Sequence, residues 1–322
     1  MKVAVTGANG FVGRHTARRL AERGHVALAL VRDARKLGDL ACDHAMIPTL
    51  NGSTLMAPLI EALRGCDAVV HLAAQVHDMT GKTPESVMRD VNIDGSVRLL
   101  DAAIAAGVKR FIFVSSVKAV GEGTDTTPYN SDTLAAPQDP YGRSKLDAEL
   151  ALADTARSAN IDLVILRPTF VYGWPLVGNF KLLVHAVRAG RPLPFLAVKN
   201  RRDMIYVGNL ADAICTSCSA DELTDTPYFL SDGDPVSTPE LIRRVGDAFG
   251  TPAKLIHFPL IALKIAGALT GKSATIQRLI ENLEVDISTF CRDAGWKPPY
   301  NMPEGLALCA TAARDAKQTD ND

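Results

Sequence analysis

This chain has few cysteines, few aromatic residues and almost no net charge, and so lacks features that mark several common classes of protein. Of its 322 residues only 6 are cysteines, 6% are aromatic, and the formal net charge is −1. Cys215 and Cys218 are its one closely spaced cysteine pair. Without a second pair or nearby histidines they make a poor zinc site, so we expect no metal. A balanced charge gives no long-range field to attract nucleic acid or acidic lipid, and neither partner is implied.

Long apolar runs are also absent. The most apolar stretch, 255–269, is too short to span a bilayer and is interrupted by Pro259 and Lys264. It predicts a helix over a second domain, with contact to a membrane surface as the lesser alternative. Met1 leads into an apolar strand without the cleavage region of a signal peptide. This predicts a cytoplasmic protein with no integral membrane segment.

The first 31 residues have the pattern of a β–α–β unit. Apolar strands are predicted over 2–6 and 26–31, with a loop containing Gly7, Gly10 and Gly13 and then a helix between them. Gly7 permits a sharp turn, Gly10 lets the backbone approach a pyrophosphate, and Gly13 lets the helix pack close to the strand. The pattern predicts a dinucleotide site with its phosphates at the helix N-terminus, where free N–H groups favour an anion.

The end of the second predicted strand bears on which dinucleotide binds. A site that prefers NAD has an acidic residue there to accept the ribose 2′-hydroxyl, whereas this chain has Val31 followed by Arg32. A guanidinium is suited to pair with a 2′-phosphate. Asp33 would reach the hydroxyl after a small shift of the loop. The sequence favours NADP(H), with NAD as the alternative.

Apolar strands recur at 68–72, 110–114 and 163–166, with helical patterns between them. Strands that alternate with helices predict an α/β fold of the Rossmann type, a doubly wound parallel sheet covered on both faces. A late strand over 228–231 is expected to return to this sheet.

The pattern loosens beyond Val171, where proline, glycine and short segments become frequent. This predicts a smaller C-terminal lobe that closes over the cleft and binds substrate. The expected dinucleotide-binding domain spans 1–173, with 205–234 returning to it, and the lobe comprises 174–204 and 235–322.

The residues after the strand ends are expected to meet at one cleft, because ligands of such sheets bind beyond those ends. Tyr141 and Lys145 lie one turn apart on the same face of a helix whose start is marked by Asp139 and Pro140. The ammonium, together with the positive nicotinamide of an oxidised cofactor, would favour the phenolate and lower its pKa. Tyr141 is therefore the expected acid–base group for hydride transfer at a carbon bearing oxygen. Ser116 would hold the substrate oxygen, and Lys145 would bond the nicotinamide ribose.

With these motifs the chain resembles an extended short-chain dehydrogenase/reductase of the nucleotide-sugar epimerase/dehydratase family. The matching segments are TGANGFVG (6–13), HLAA (71–74), VNIDG (91–95), FIFVSS (111–116), YGRSK (141–145), LRPTFVYG (166–173) and RDMIYVGNLADA (202–213). The resemblance implies that the cofactor is bound by Gly7, Asn9, Gly10, Phe11, Val12, Gly13, Arg32, Leu72, Ala73, Ala74, Tyr141, Lys145 and Pro168. It implies substrate contacts from Ser116, Lys118, Asn179, Arg202 and Arg278. Asn92 would shape the active-site helix.

The resemblance disfavours one activity of this family and leaves two others open. A 4,6-dehydratase is disfavoured, because Val117 and Lys118 stand where that branch carries an Asp-Glu pair. Lys118 would bond the substrate, polarise a ketone or point to solvent. The chain is most similar to the bacterial polysaccharide-biosynthesis subgroup. This subgroup includes UDP-sugar 4-epimerases and the 4-ketoreductases that make UDP-N-acetylquinovosamine.

Cofactor use separates these two activities. A reductase must exchange its cofactor, which suits NADPH, so Arg32 favours the ketoreductase. A 4-epimerase that keeps NAD bound is the alternative. A redox sensor that binds the dinucleotide without turnover belongs to another class, and a 3β-hydroxysteroid or flavonoid-type reductase shares the early motifs. Arg202 and Asn179 favour a UDP-sugar substrate over a steroid or flavonoid, because they are suited to contact a diphosphate. The resemblance also implies a homodimer through helices at 90–106 and 141–158.

Overall fold

Seven parallel strands form the centre of the fold, in a computed structural model that describes residues 1–75, 84–223, 226–271 and 273–319. In these residues the strands are β1 (Lys2–Thr6), β2 (Val26–Val31), β3 (Asp43–Met46), β4 (Ala68–His71), β5 (Arg110–Val114), β6 (Asp162–Pro168), β7 (Phe170–Tyr172), β8 (Met204–Tyr206) and β9 (Tyr228–Leu230). The helices are α1 (Phe11–Glu22), α2 (Met56–Leu63), α3 (Glu85–Arg89), α4 (Gly95–Ala105), α5 (Pro140–Ala159), α6 (Gly178–Arg188), α7 (Val207–Ser217), α8 (Thr238–Ala248), α9 (Leu260–Leu269), α10 (Ser273–Ile280), α11 (Ser288–Asp293) and α12 (Met302–Thr319). A π-helical turn (Asp90–Asp94) joins α3 to α4, and 3-10 turns span Ala34–Leu37 and Val117–Ala119.

The large sheet has the strand order β3-β2-β1-β4-β5-β6-β9, and each neighbouring pair is parallel. The order reverses beside β1, which pairs with β2 on one side and β4 on the other. Ligands of open parallel sheets bind at such a switch point, and Gly7 follows β1 there. β9 returns beside β6 with Tyr228 opposite Leu166, as predicted. The Rossmann-type α/β fold expected from the sequence is confirmed.

Both faces of the sheet are buried, which is why its strands are apolar throughout rather than alternating. On β1, Val3 and Val5 belong to one core, which they share with Leu20 of α1. Ala4 points to the opposite face and belongs to a second core with Leu99 of α4. The helices on these two faces leave the carboxyl ends of the strands free to form a cleft.

The smaller lobe has a core of its own. β7 and β8 form a separate two-stranded parallel sheet, against which α6, α8 and α12 are grouped. The core residues they share include Tyr172, Phe180, Val184, Met204, Ile242, Val245 and Leu306.

Two aromatic residues of segment 235–322, which was predicted to belong to the smaller lobe, pack against the large sheet instead. Phe290 and Trp296 join the core of the large sheet. The ring of Phe290 meets that of Tyr228 with centroids 5.5 Å apart, and Trp296 Nε1 donates to Asp212 Oδ2 at 3.0 Å. The segment around α11 therefore packs with the large sheet rather than with the smaller lobe, because its aromatic side chains are buried there.

The apolar stretch 255–269 forms a shorter helix than predicted. α9 begins only at Leu260, after Pro259, because residues 255–256 extend alongside 193–196 and share backbone hydrogen bonds with them. In the described part of the chain no helix is both long and apolar enough to cross a membrane.

Candidate active site

The loop between β1 and α1 allows a ligand to approach the backbone closely. Gly7 has a φ of +67°, which other residues adopt only with strain. A Cβ on Gly13 would lie 2.1 Å from the carbonyl oxygen of Gly7, so only glycine lets the helix pack this close. A Cβ on Gly7 would itself lie 3.0 Å from the Ala73 nitrogen. The loop thus has the shape that a pyrophosphate cradle requires.

No described side chain neutralises the positive N-terminal end of α1. Among the described residues no side chain caps the helix at Gly10, and its first turn has no acidic residue. The first N–H groups and the positive end of the helix dipole are therefore available to an anion. A dinucleotide fits this donor set, since its pyrophosphate supplies that anion. Six predicted cofactor residues lie in the loop or first turn: Gly7, Asn9, Gly10, Phe11, Val12 and Gly13.

The loops after β1 and β4 adjoin. The backbone N–H groups of Leu72 and Ala73 donate to Thr6 Oγ1 at 3.1 and 3.2 Å. Ala74 continues this loop, and Pro168 is the last residue of β6. The predicted cofactor residues at the strand ends therefore lie along one edge of the sheet.

The residue that directly follows β2 is a cation, Arg32. Arg32 is exposed, and its side chain forms no hydrogen bond or ion pair within the described ranges. Asp33, by contrast, caps the following 3-10 turn and pairs with the Arg35 guanidinium at 2.9 Å. The carboxylate suited to a ribose hydroxyl is thus engaged, whereas the guanidinium suited to a 2′-phosphate is free to bind.

α5 carries Tyr141 and Lys145 at its start. Asp139 Oδ1 accepts a hydrogen bond from the Gly142 N–H at 2.7 Å, and Pro140 occupies the first helical position. The helix therefore begins where the sequence predicted, with the phenol in its first turn.

The end of β5 meets the start of α5. A Cβ on Gly142 would lie 2.3 Å from the carbonyl oxygen of Lys118, so the helix touches the turn that follows Ser116. Lys145 Nζ donates to the carbonyl oxygen of Val114 at 2.8 Å. These contacts place the start of α5, with Tyr141 and Lys145, against the end of β5 and the turn that follows Ser116.

Burial shifts the pKa values of both Tyr141 and Lys145. It raises the pKa of Tyr141 to about 12, and the Asp139 carboxylate adds to the shift. It lowers the pKa of Lys145 to about 7, with the charge of Glu149 opposing. The lowering of the Tyr141 pKa expected with an oxidised nicotinamide bound stays a prediction, whereas in the polypeptide alone burial disfavours the phenolate.

A buried hydrogen-bond chain joins β1, β4 and α5. Thr6 Oγ1 lies 2.7 Å from His71 Nδ1, and His71 Nε2 lies 2.8 Å from Ser96 Oγ. The amide of Asn92 donates to Ser144 Oγ at 3.0 Å on α5. Burial lowers the pKa of His71 to about 3, so the ring is neutral and the chain needs no counter-ion. The network holds α5 against the loop that follows β4.

Three residues predicted to contact the substrate line one cavity of about 310 Å³ in the smaller lobe: Asn179, Arg202 and Arg278. The remaining walls are mainly apolar and include Phe180, Leu183, Leu193, Phe195, Met204, Leu241, Ile242 and Leu279. Burial lowers the pKa of Arg202 to about 10, and its guanidinium donates to the carbonyl oxygen of Glu281 at 3.0 Å. The cavity therefore combines apolar walls with two arginines able to bind an anion.

Ion pairs connect this cavity to the start of α5. Arg278 Nε donates to Glu122 Oε2 at 2.9 Å, and Lys118 Nζ donates to Glu122 Oε1 at 3.2 Å. Lys118 also pairs with Asp139, the cap of α5. Its charge is thus engaged within the protein, and the ion pairs link the cavity wall to the start of α5.

A buried ion pair beside the cluster was not predicted from the sequence. Arg167 Nε donates to both carboxylate oxygens of Glu149 at 3.1 and 3.2 Å, and the two side chains are only 8% and 3% exposed. Ser115 Oγ donates to the same carboxylate. A signal was available, because Glu149 lies four residues after Lys145 and so shares its face of α5.

Comparison with known proteins agrees with this geometry. Residues 3–227 match the model of the NAD dependent epimerase/dehydratase family. The chain is 36% identical to the UDP-glucose 4-epimerase of Vibrio cholerae, covering 96% of this chain and 94% of that protein. It is 29% identical to the N-acetyl-alpha-D-glucosaminyl-diphospho-ditrans,octacis-undecaprenol 4-epimerase of Escherichia coli O157:H7, over 77% and 78% of the two chains. Its fold is similar to that of the UDP-glucose 4-epimerase of Thermotoga maritima solved with UDP-glucose, with a TM-score of 0.78, 21% identity, and coverage of 98% and 100%. The chain therefore belongs to the NAD dependent epimerase/dehydratase family, as its motifs predicted.

Proposed function

We propose that this protein is a 4-epimerase of a UDP-linked sugar that uses NAD. The observation that carries the proposal is the packing of the start of α5, which holds Tyr141 and Lys145, on the turn after Ser116. Ion pairs link this helix start to the arginine-lined cavity. Similarity to an epimerase over nearly the whole chain supports the same activity. Of the two activities left open by the motifs, the comparisons favour the epimerase over the ketoreductase.

Each catalytic side chain has a distinct role in this proposal. Tyr141 takes the proton of the sugar 4-hydroxyl as the C4 carbon is oxidised and returns it when that carbon is reduced. Ser116 donates a hydrogen bond to the same oxygen and keeps it near the phenol. Lys145 is held at the end of β5 by the Val114 carbonyl, from where its charge stabilises the phenolate. When bound, the nicotinamide ring supplies the hydride acceptor and donor.

Inversion at C4 requires that the hydride leave from one face of the sugar and be returned to the opposite face. The sugar must therefore turn in the cleft while the rest of the substrate stays bound. Arg202 and Arg278 are suited to hold the diphosphate, because a guanidinium makes paired, charge-assisted hydrogen bonds to phosphate oxygens. Asn179 adds a polar group at the same wall.

The direct test is to incubate the purified protein with NAD and either UDP-glucose or UDP-N-acetylglucosamine, and to analyse the sugars by chromatography and NMR. We expect interconversion with the galactose-type epimer and no net change in nicotinamide absorbance. Dinucleotide binding without turnover of any UDP-sugar would contradict the proposal and favour a sensor. Net oxidation of NADPH by a UDP-4-keto-6-deoxy sugar, without epimerisation, would contradict it in favour of a ketoreductase.

The unpaired guanidinium at the end of β2 keeps NADP(H) and the ketoreductase as the second candidate. If Arg32 binds a 2′-phosphate, Arg32→Ala should weaken NADPH binding by about tenfold or more and leave NADH binding unchanged. Isothermal titration with both cofactors measures this difference. Arg64→Ala is the matched control, since that exposed arginine pairs with Glu61 on α2. Equal affinities of wild type and Arg32→Ala for NADPH would remove the support for NADP(H).

The homodimer implied by the family resemblance stays a prediction. One feature of the proposed interface agrees with it: Leu150 on α5 is 59% exposed. A leucine on the outer face of a long helix is suited to pack against a second copy.

A further inference from the structure

The net charge of −1 conceals a basic surface on the smaller lobe. Residues 174–202 contain six lysines and arginines and no acid, and residues 248–280 contain four and no acid. The two segments lie side by side, since the Leu193 N–H donates to the Lys254 carbonyl oxygen at 2.8 Å and the Leu196 N–H to that of Ile256 at 3.2 Å. The two segments therefore bring their cations into one region of the lobe.

Several of these cations are available to a partner. Arg188, Arg191, Lys254 and Lys264 are all exposed, and no carboxylate in the parts of the chain that the structure describes pairs with them. The free ammonium of Lys254 lies close to the C-terminal end of α6, near Gly190. Among the described residues these four cations are thus not neutralised, whereas Arg201 and Arg278 of the same segments pair with Glu284 and Glu122.

α9 adds an unpartnered apolar face beside this charge. Ile261, Ile265 and Leu269 recur every four residues and form one stripe on the helix, where they are 74%, 55% and 83% exposed. The opposite stripe is buried through Leu263 and Gly267. A row of large apolar side chains in water is costly, and such a patch commonly marks a contact surface.

We propose that this face, formed by α9 and the neighbouring cations Lys254, Lys264, Arg188 and Arg191, docks on the surface of an anionic lipid bilayer. A short helix of this kind lies in the interface with its apolar stripe among the acyl chains, while the adjacent cations contact anionic headgroups. Charge complementarity distinguishes the bilayer from a second copy of the chain. An isologous contact would bring this basic surface against itself.

The docking face also adjoins the cavity. Gly267 of α9 packs on α10 so closely that a Cβ there would lie 3.0 Å from Ile276. α10 in turn supplies Thr275, Arg278 and Leu279 to the cavity wall. A bilayer at α9 would therefore hold the cavity close to the headgroup layer.

Flotation with lipid vesicles tests the proposal independently of the sugar that the protein converts. We expect the wild type to float with vesicles of phosphatidylcholine containing about 30% phosphatidylglycerol, and not with phosphatidylcholine alone. Ile261→Asp/Ile265→Asp should lower the bound fraction by about tenfold, as should Lys254→Glu/Lys264→Glu. Leu134→Asp is the matched control, because Leu134 is 90% exposed and lies outside this face.

Three results would overturn the proposal. The first is that the wild type fails to float with anionic vesicles, and the second is that the isoleucine and lysine variants float as the wild type does. The third is that the isoleucine variant changes only the elution volume in vesicle-free gel filtration, which would make the face a contact between copies. Retained NAD binding by each variant shows that the fold is intact, so loss of flotation can be assigned to the surface.

Discussion

Replacing Tyr141 with phenylalanine is expected to lower kcat by about 10²- to 10⁴-fold and to leave dinucleotide affinity nearly unchanged. The substitution removes only the hydroxyl, which in the proposed mechanism exchanges a proton with the substrate. The ring, the cap at Asp139 and the neighbouring Lys145 remain. Steady-state turnover of the UDP-sugar, together with titration of NAD, separates the chemical effect from binding.

Tyr300→Phe provides the matched control for this experiment. Tyr300 is 36% exposed and uses its backbone to bond Asn209, so loss of its hydroxyl should change neither turnover nor binding. Turnover of Tyr141→Phe at the wild-type rate would exclude the phenol as the acid–base group. Equal loss in both tyrosine variants would indicate a general effect on the fold.

The second large effect concerns stability. Glu149→Ala is expected to lower the free energy of unfolding by about 3–5 kcal/mol, because it leaves the Arg167 guanidinium buried without its counter-charge. The same substitution frees the Ser115 hydroxyl from its acceptor. Denaturation in urea, followed by circular dichroism, measures the change.

Glu240→Ala is the control for Glu149→Ala. That residue pairs with Arg244 at the surface and is 41% exposed, and such pairs contribute at most about 1 kcal/mol. The double variant Glu149→Met/Arg167→Met should be more stable than Glu149→Ala, since it removes the unpaired charge. If Glu149→Ala cost no more than Glu240→Ala, the buried pair would not be a major source of stability.

Local patterns were sufficient to predict the sheet and the catalytic helix. The glycines at 7, 10 and 13 follow an apolar strand and precede a helix, and Asp139 with Pro140 marks the start of α5. Each of these signals depends on residues only a few positions apart. Backbone conformation and capping are governed at that range, so they can be predicted from sequence.

Contacts between distant segments were harder to predict. The sequence left Lys118 with three possible roles, and the structure shows it paired with Asp139, which lies 21 residues away. Arg278 was predicted to face a diphosphate and does line the cavity, but its pairing with Glu122 was not foreseen. Nothing in the local pattern specifies which of many carboxylates a cation will meet.

The family, the α/β fold and the residue types at the strand ends could be predicted from the sequence, because these follow from motifs and short-range periodicity. How those residues are charged and paired depends instead on the tertiary structure. The raised pKa of Tyr141 results from burial by the surrounding fold, and the pair between Glu149 and Arg167 joins residues on α5 and β6. The basic face of the smaller lobe likewise exists because two acid-free segments lie together. Desolvation and Coulomb energies depend on the distances between groups and on the exclusion of water, and both are set by the folded chain.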